Sequence, residues 1–198
     1  MDVTALCIRL LINVLMVLVA QVHNSYCTQN DDAAFPHIVP NRLQFFEYES
    51  ISVNCMTEQR VMRTLKEINQ TNISNWVTSA GSGTVDPAYP SDSGEYWCED
   101  GEGLRRSAVN ISVTAGSVIL ESPVLPVKEG DNVTLRCTKK KSTSNIADFY
   151  KDGHRIRTGY EGNLIIHNVS RSHEGLYKCN ISGDGESPES RLAVGGET

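Results

Sequence analysis

Apolar and polar residues alternate with a period of two in several short stretches, as half-buried strands require. In Ser50-Ile51-Ser52-Val53-Asn54-Cys55, the residues Ile51, Val53 and Cys55 share one face. Ala108-Val109-Asn110-Ile111-Ser112-Val113 alternates in the same way. Asp131-Asn132-Val133-Thr134-Leu135-Arg136-Cys137 places Val133, Leu135 and Cys137 together, and Tyr177, Cys179 and Ile181 form a similar set. Further strands are predicted at Val118-Ile119-Leu120, at Asn163-Leu164-Ile165-Ile166 and at Arg191-Leu192-Ala193-Val194. Ala147-Asp148-Phe149-Tyr150-Lys151 runs into a turn closed by Asp152-Gly153. Helical periodicity is absent over any useful length.

Two of these strands carry a second signal. In Asp92-Ser93-Gly94-Glu95-Tyr96-Trp97-Cys98 a Tyr stands two residues before a Cys, with Asp and Gly upstream. His173-Glu174-Gly175-Leu176-Tyr177-Lys178-Cys179 repeats the arrangement with His in place of Asp. This is the tyrosine corner of an immunoglobulin-type β-sandwich, in which the Tyr96 or Tyr177 hydroxyl ties strand F back to the E–F turn. Two corners in sequence predict an all-β chain of two tandem immunoglobulin-like sandwiches, residues 28–115 and 116–198. The joint between them, Thr114-Ala115-Gly116-Ser117, is short enough to restrict their angle. Residues 28–40 form a leader that Pro36 and Pro40 keep off a central strand.

Six cysteines sort themselves on this frame. Cys7 leaves with an N-terminal signal segment, and Cys27 leaves if cleavage follows it. Cys55, Cys98, Cys137 and Cys179 permit three pairings, of which the strand B to strand F link selects Cys55–Cys98 and Cys137–Cys179. Each bond closes a loop of similar length and stabilises its domain by ~3–4 kcal/mol on the chain-entropy model. Such a core usually holds a Trp on strand C. Phe149 or Tyr150 can take that place after Cys137, whereas after Cys55 neither Gln59 nor Trp76 stands at the usual distance.

Composition narrows the function. With 18 Lys+Arg against 24 Asp+Glu the chain is mildly acidic, which excludes a nucleic-acid binder. The apolar run from Leu10 to Ala20 behind Arg9 is shorter than the ~20 residues a bilayer span needs and suits a secretory signal peptide over residues 1–27. Cleavage after Ala20 is the alternative, and it would leave Cys27 as an odd thiol available for dimerisation. No second apolar segment follows, so a secreted, extracellular protein without a membrane span is expected. Six Asn-x-Ser/Thr sequons, at Asn69, Asn72, Asn110, Asn132, Asn168 and Asn180, are glycosylation candidates. By alternation Asn110, Asn132 and Asn180 point away from the core. No nucleophile elbow, P-loop, zinc motif or Cys-x-x-Cys is present, so no enzyme activity, metal or cofactor is expected. His173 reads as a turn residue that bonds the local backbone. The B–C loop lysines Lys139, Lys140 and Lys141 and the F–G loop Gly183-Asp184-Gly185-Glu186 fall at one end of the second sandwich and form a candidate recognition rim.

Longer motifs add a family. Val127-Lys128-Glu129-Gly130-Asp131-Asn132-Val133-Thr134-Leu135-Arg136-Cys137, Phe149-Tyr150-Lys151-Asp152-Gly153 and Glu174-Gly175-Leu176-Tyr177-Lys178-Cys179 resemble the Fc receptor and Fc receptor-like family. Gln44-Phe45-Phe46-Glu47-Tyr48-Glu49-Ser50, Arg60-Val61-Met62-Arg63 and Ala88-Tyr89-Pro90-Ser91-Asp92-Ser93-Gly94-Glu95-Tyr96-Trp97-Cys98 are similar to its bony-fish members. The resemblance implies C2-type domains at an acute angle, with immunoglobulin Fc gripped by the second domain and the hinge. It also implies an aromatic clamp whose two positions fall on Ser117 and near Lys140, neither of which is Trp. The expected function is therefore a soluble Fc receptor or decoy that binds immunoglobulin Fc. The missing clamp keeps open a recognition or adhesion module for another cell-surface protein, or a truncated form of a membrane receptor.

Overall fold

The computed structural model describes residues 13, 16, 35–56, 58–66, 75–140 and 146–195. Apart from Asn13 and Met16, the expected signal segment, with its cleavage positions at Ala20 and Cys27, lies outside the described residues, as do Cys7, Asn69, Asn72 and Lys141. From residue 35 onward the described residues form β-strands and short 3-10 turns in an all-β immunoglobulin-like arrangement.

Eight strands make the N-terminal half: β1 (His37–Val39), β2 (Gln44–Phe46), β3 (Ile51–Asn54), β4 (Arg60–Leu65), β5 (Trp76–Ser79), β6 (Ser82–Val85), β7 (Gly94–Glu99) and β8 (Arg105–Thr114). They form two sheets, β1-β3-β6-β5 and β2-β8-β7-β4. All pairs are antiparallel except β2 with β8. Burial alternates along β3 and β7, as their sequence alternation requires, and their inward residues meet Phe45, Val61, Val85 and Ile111 in one core.

The C-terminal half holds β9 (Val118–Glu121), β10 (Val127–Lys128), β11 (Val133–Lys139), β12 (Ala147–Lys151), β13 (His154–Gly159), β14 (Asn163–Ile166), β15 (Gly175–Ile181), β16 (Gly185–Glu186), β17 (Ser190–Leu192) and β18 (Val194–Gly195). One sheet runs β14-β11-β9, and the other β13-β12-β15 with β16 and β17 also on β15. β10 and β18 form a parallel pair. A second core gathers Val118, Leu120, Leu135, Phe149, Leu164 and Tyr177.

Three details depart from expectation. The leader contains a strand, β1, although it pairs only with β3 at a sheet edge between the two prolines. The N-terminal half differs from the C2 plan, because β5 joins the β3–β6 sheet where a C2 domain would extend the opposite one. β13 takes that second course in the C-terminal half. Finally, the last predicted strand is split at Ala193, whose carbonyl accepts from Val127 N at 2.9 Å.

Strand β2 is buried along its whole length and β9 from Val118 to Leu120, which a period of two does not produce with one face in water. Phe45 faces the N-terminal core, and Val118 and Leu120 face the C-terminal core. Gln44, Phe46 and Ile119 therefore project from the opposite faces, where β2 and β9 lie against each other. Gln44 is 1 % exposed. Its Oε1 accepts from Leu120 N at 2.7 Å and its Nε2 donates to Pro188 O at 2.8 Å. Val124 adds an apolar contact by packing on the N-terminal core.

Candidate functional site

The covalent frame is in place on both sides. Cys55 bonds Cys98 and Cys137 bonds Cys179, with Cα–Cα separations of 5.7 and 6.0 Å. Beside each bond the corner Tyr donates backward along the chain. Tyr96 Oη donates to Asp92 O and Tyr177 Oη to His173 O, both at 2.7 Å. Burial pushes the Tyr96 phenol above its ordinary range and lifts that of Tyr177 to about 12.

The two corners are stabilised differently. The Asp92 carboxylate is 4 % exposed. It accepts from Arg63 Nη1 at 3.0 Å, Asn75 Nδ2 at 2.6 Å and Tyr89 N at 2.9 Å. At the second corner His173 Nδ1 accepts from Ser170 N at 3.0 Å and lies 3.1 Å from Ser170 Oγ. Trp76 occupies the space that a strand C Trp would fill. It reaches the N-terminal core from β5, edge-on to Tyr96 and beneath the Arg63 guanidinium. In the C-terminal half Phe149 is the core aromatic, and Tyr150 points outward under Lys178.

Lys139 and Lys140 do not act as one patch. Lys139 is the last residue of β11, and its Nζ pairs with Asp184 Oδ2 at 3.0 Å. Gly185 and Glu186 are not free loop residues, because β16 pairs with β15 and Asp184 N donates to Ile181 O. Glu186 in turn holds Lys178 at 2.6 Å, which raises the Lys178 ammonium above its ordinary range. Gly183, with φ at +84°, closes this hairpin in the left-handed region that favours glycine.

Lys140 turns the other way, toward the junction of the halves. Its backbone N donates to Ser117 O at 3.1 Å, so the two positions implied for the clamp are neighbours. Its Nζ stands 5.6 Å from the ring centre of Tyr48. Tyr48 is 62 % exposed and meets Tyr89 edge-on at 5.7 Å. The Tyr48 backbone is left-handed, with φ at +74°, and its N donates to Ala88 O. An exposed aromatic pair with a cation over one ring is a ready contact surface. Sequence reasoning missed Tyr48 and Tyr89 as site residues. A non-glycine φ in this region leaves no mark in the alternation, and only the structure turns the ring outward.

The described sequons differ in setting. Asn110, Asn132 and Asn168 are exposed and Asn180 is half-buried. Asn132 Oδ1 accepts from Asn168 N at 3.2 Å, whereas Asn110 stands on the wall of a cleft between the halves. Among the described residues no group of His, Cys, Asp and Glu is placed to hold a metal ion, and no helix is long and apolar enough to cross a membrane.

Comparison with known proteins agrees with this geometry. Residues 117–182 match the model of the immunoglobulin domain. The chain is 36% identical over 90 residues to Fc receptor-like protein 5 of Mus musculus, covering 44% of this chain and 15% of that one. It is 26% identical over 143 residues to low affinity immunoglobulin gamma Fc region receptor III of Rattus norvegicus, covering 71% and 53%. The chain thus spans about half or less of the length of these relatives. Among solved structures, the second Ig-C2 domain of human Fc-receptor like A is 26% identical, covers 39% of this chain and is itself covered to 95%, with a TM-score of 0.34. That likeness is too loose to add to the sequence relation. Both relatives carry the name of a receptor or a receptor-like protein. The chain thus carries an immunoglobulin domain over residues 117–182 and is related at modest identity to the Fc receptors and Fc receptor-like proteins.

Proposed function

We propose that the chain is a secreted, glycosylated receptor of two tandem immunoglobulin-like domains, residues 28–115 and 116–198, that binds immunoglobulin Fc as a soluble receptor or decoy. The observation that carries this reading is the junction where Ser117, Lys140, Tyr48 and Tyr89 meet. Tyr48 supplies there an exposed aromatic face in place of the absent Trp residues. Aromatic anchors beside a hinge act as hot spots when a partner desolvates them. Relatives named for binding the immunoglobulin gamma Fc region support the choice of ligand.

Surface plasmon resonance of the mature chain against autologous immunoglobulin tests it. Binding should appear, and Tyr48→Ala should weaken it by about tenfold or more, the loss of one hot spot. Thr78→Ala, on the exposed side of β5, should leave it unchanged. Absence of binding at high micromolar concentration overturns the reading.

A second reading is recognition of a different cell-surface protein. The Lys139–Asp184 pair at the end of the C-terminal half favours it. In that case Lys139→Ala with Asp184→Ala abolishes attachment to cells that carry no surface immunoglobulin; unchanged attachment counts against it.

A further inference from the structure

The cleft between the halves, of about 440 Å³, is walled by Asn110 and Ser112 from β8 and by Pro123, Leu125, Glu189 and Arg191 from the C-terminal half. Gln44, the buried side chain that bridges the halves, borders the same cleft. Asn110-Ile111-Ser112 is a sequon. Val109 and Ile111 point into the core, so Asn110 and Ser112 point out of the sheet and into this space. The other described sequons sit elsewhere.

We propose that Asn110 carries an N-linked glycan whose innermost sugars fill this cleft and brace the two halves. The inference rests on the secretory reading above. During transfer the Asn110 amide nitrogen forms a bond to the anomeric carbon of a polyprenyl-pyrophosphate oligosaccharide. The carbon–oxygen bond to the pyrophosphate breaks, the pyrophosphate leaves with the bonding pair, and the amide gives up one proton. The cleft suits what this leaves behind. Its volume lies in the range of small-ligand pockets. A pyranose has an apolar face for Pro123 and Leu125 and a rim of hydroxyls for Glu189 and Arg191. Sugars seated there and touching both walls oppose any parting of the halves, so the Gln44–Leu120 hydrogen bond opens less often.

Glycopeptide mass spectrometry and amide exchange on the chain secreted from eukaryotic cells test this. Asn110 should be occupied in the wild type and in Ser112→Thr, and bare in Asn110→Gln and Ser112→Ala. The Leu120 amide, which donates to Gln44, should exchange roughly threefold or more faster in the bare variants. If those variants are not secreted, enzymatic removal of the glycan from the folded wild type should produce the same acceleration. A bare Asn110 in a secreted chain with another sequon occupied overturns this inference and leaves the secretory reading standing. Occupancy without any change in Leu120 exchange overturns the brace. A chain retained in the cell without any glycan overturns both.

Discussion

Asp92 holds more of the N-terminal half than its position in a turn implies. Its buried carboxylate satisfies a guanidinium, an amide and a backbone N–H at once. Removing one partner of a buried ion pair strands the other, so Asp92→Ala should cost about 3 kcal/mol in urea unfolding. Arg60→Ala, which breaks the exposed pair with Glu99, should cost less than about 1 kcal/mol. Tyr177 answers to pH instead. Its folded phenol sits at about 12, against an ordinary value near 10. The folded state therefore keeps its full stability below about pH 10 and loses it as pH rises toward about 12, where the unfolded chain ionises first. Tyr177→Phe should flatten that loss in alkaline denaturation curves. Both tyrosines were legible in the sequence because their spacing to Cys is local. The partners of Asp92 were not, because Arg63 and Asn75 reach it from other strands.

Strand placement was legible where apolar and polar residues alternate, as along β3, β7, β8 and β11, and in the apolar run of β9. It failed at β1 and β5. β5 carries Trp76 on the sheet opposite strand C, so counting residues from Cys55 could not find the core Trp. β1 is an edge strand with a single neighbour, and its three residues are too few to show a period. Gly83 on β6 makes the placement of Trp76 possible. A Cβ there would run into the indole ring of Trp76. Gly83→Ala should therefore destabilise the chain by about 1–3 kcal/mol, the usual cost of overpacking, as a lower thermal midpoint with the fold retained. Near-ultraviolet circular dichroism of the same variant should report the displaced indole.

Taken together, the halves are joined by more than the linker at residues 114–117. Gln44 ties β2 to β9 through a buried hydrogen bond and to the segment before β17 through a partly buried one. Nothing in an amide surrounded by Phe45 and Phe46 announces a long-range contact, since each partner is a backbone group more than 70 positions away. Gln44→Ala should leave the Leu120 N–H without its Gln44 acceptor, costing about 1–3 kcal/mol, while the Pro188 carbonyl keeps its bond from Ser187 Oγ. Small-angle scattering should show a broader range of arrangements, with both disulfide-linked cores intact by denaturation. The same result with an unaltered scattering profile would mean that Val124 and the linker suffice.

The two parallel pairs have a mechanical consequence. β2 runs beside β8 through three residue pairs, and β10 beside β18 through two. Tension applied along the chain loads each parallel pair in shear, so its hydrogen bonds must fail together, whereas a hairpin peels one bond at a time. Under such tension the chain would thus yield first at β10–β18. Its N-terminal half, with the longer clasp, would still be folded when the C-terminal half has begun to open.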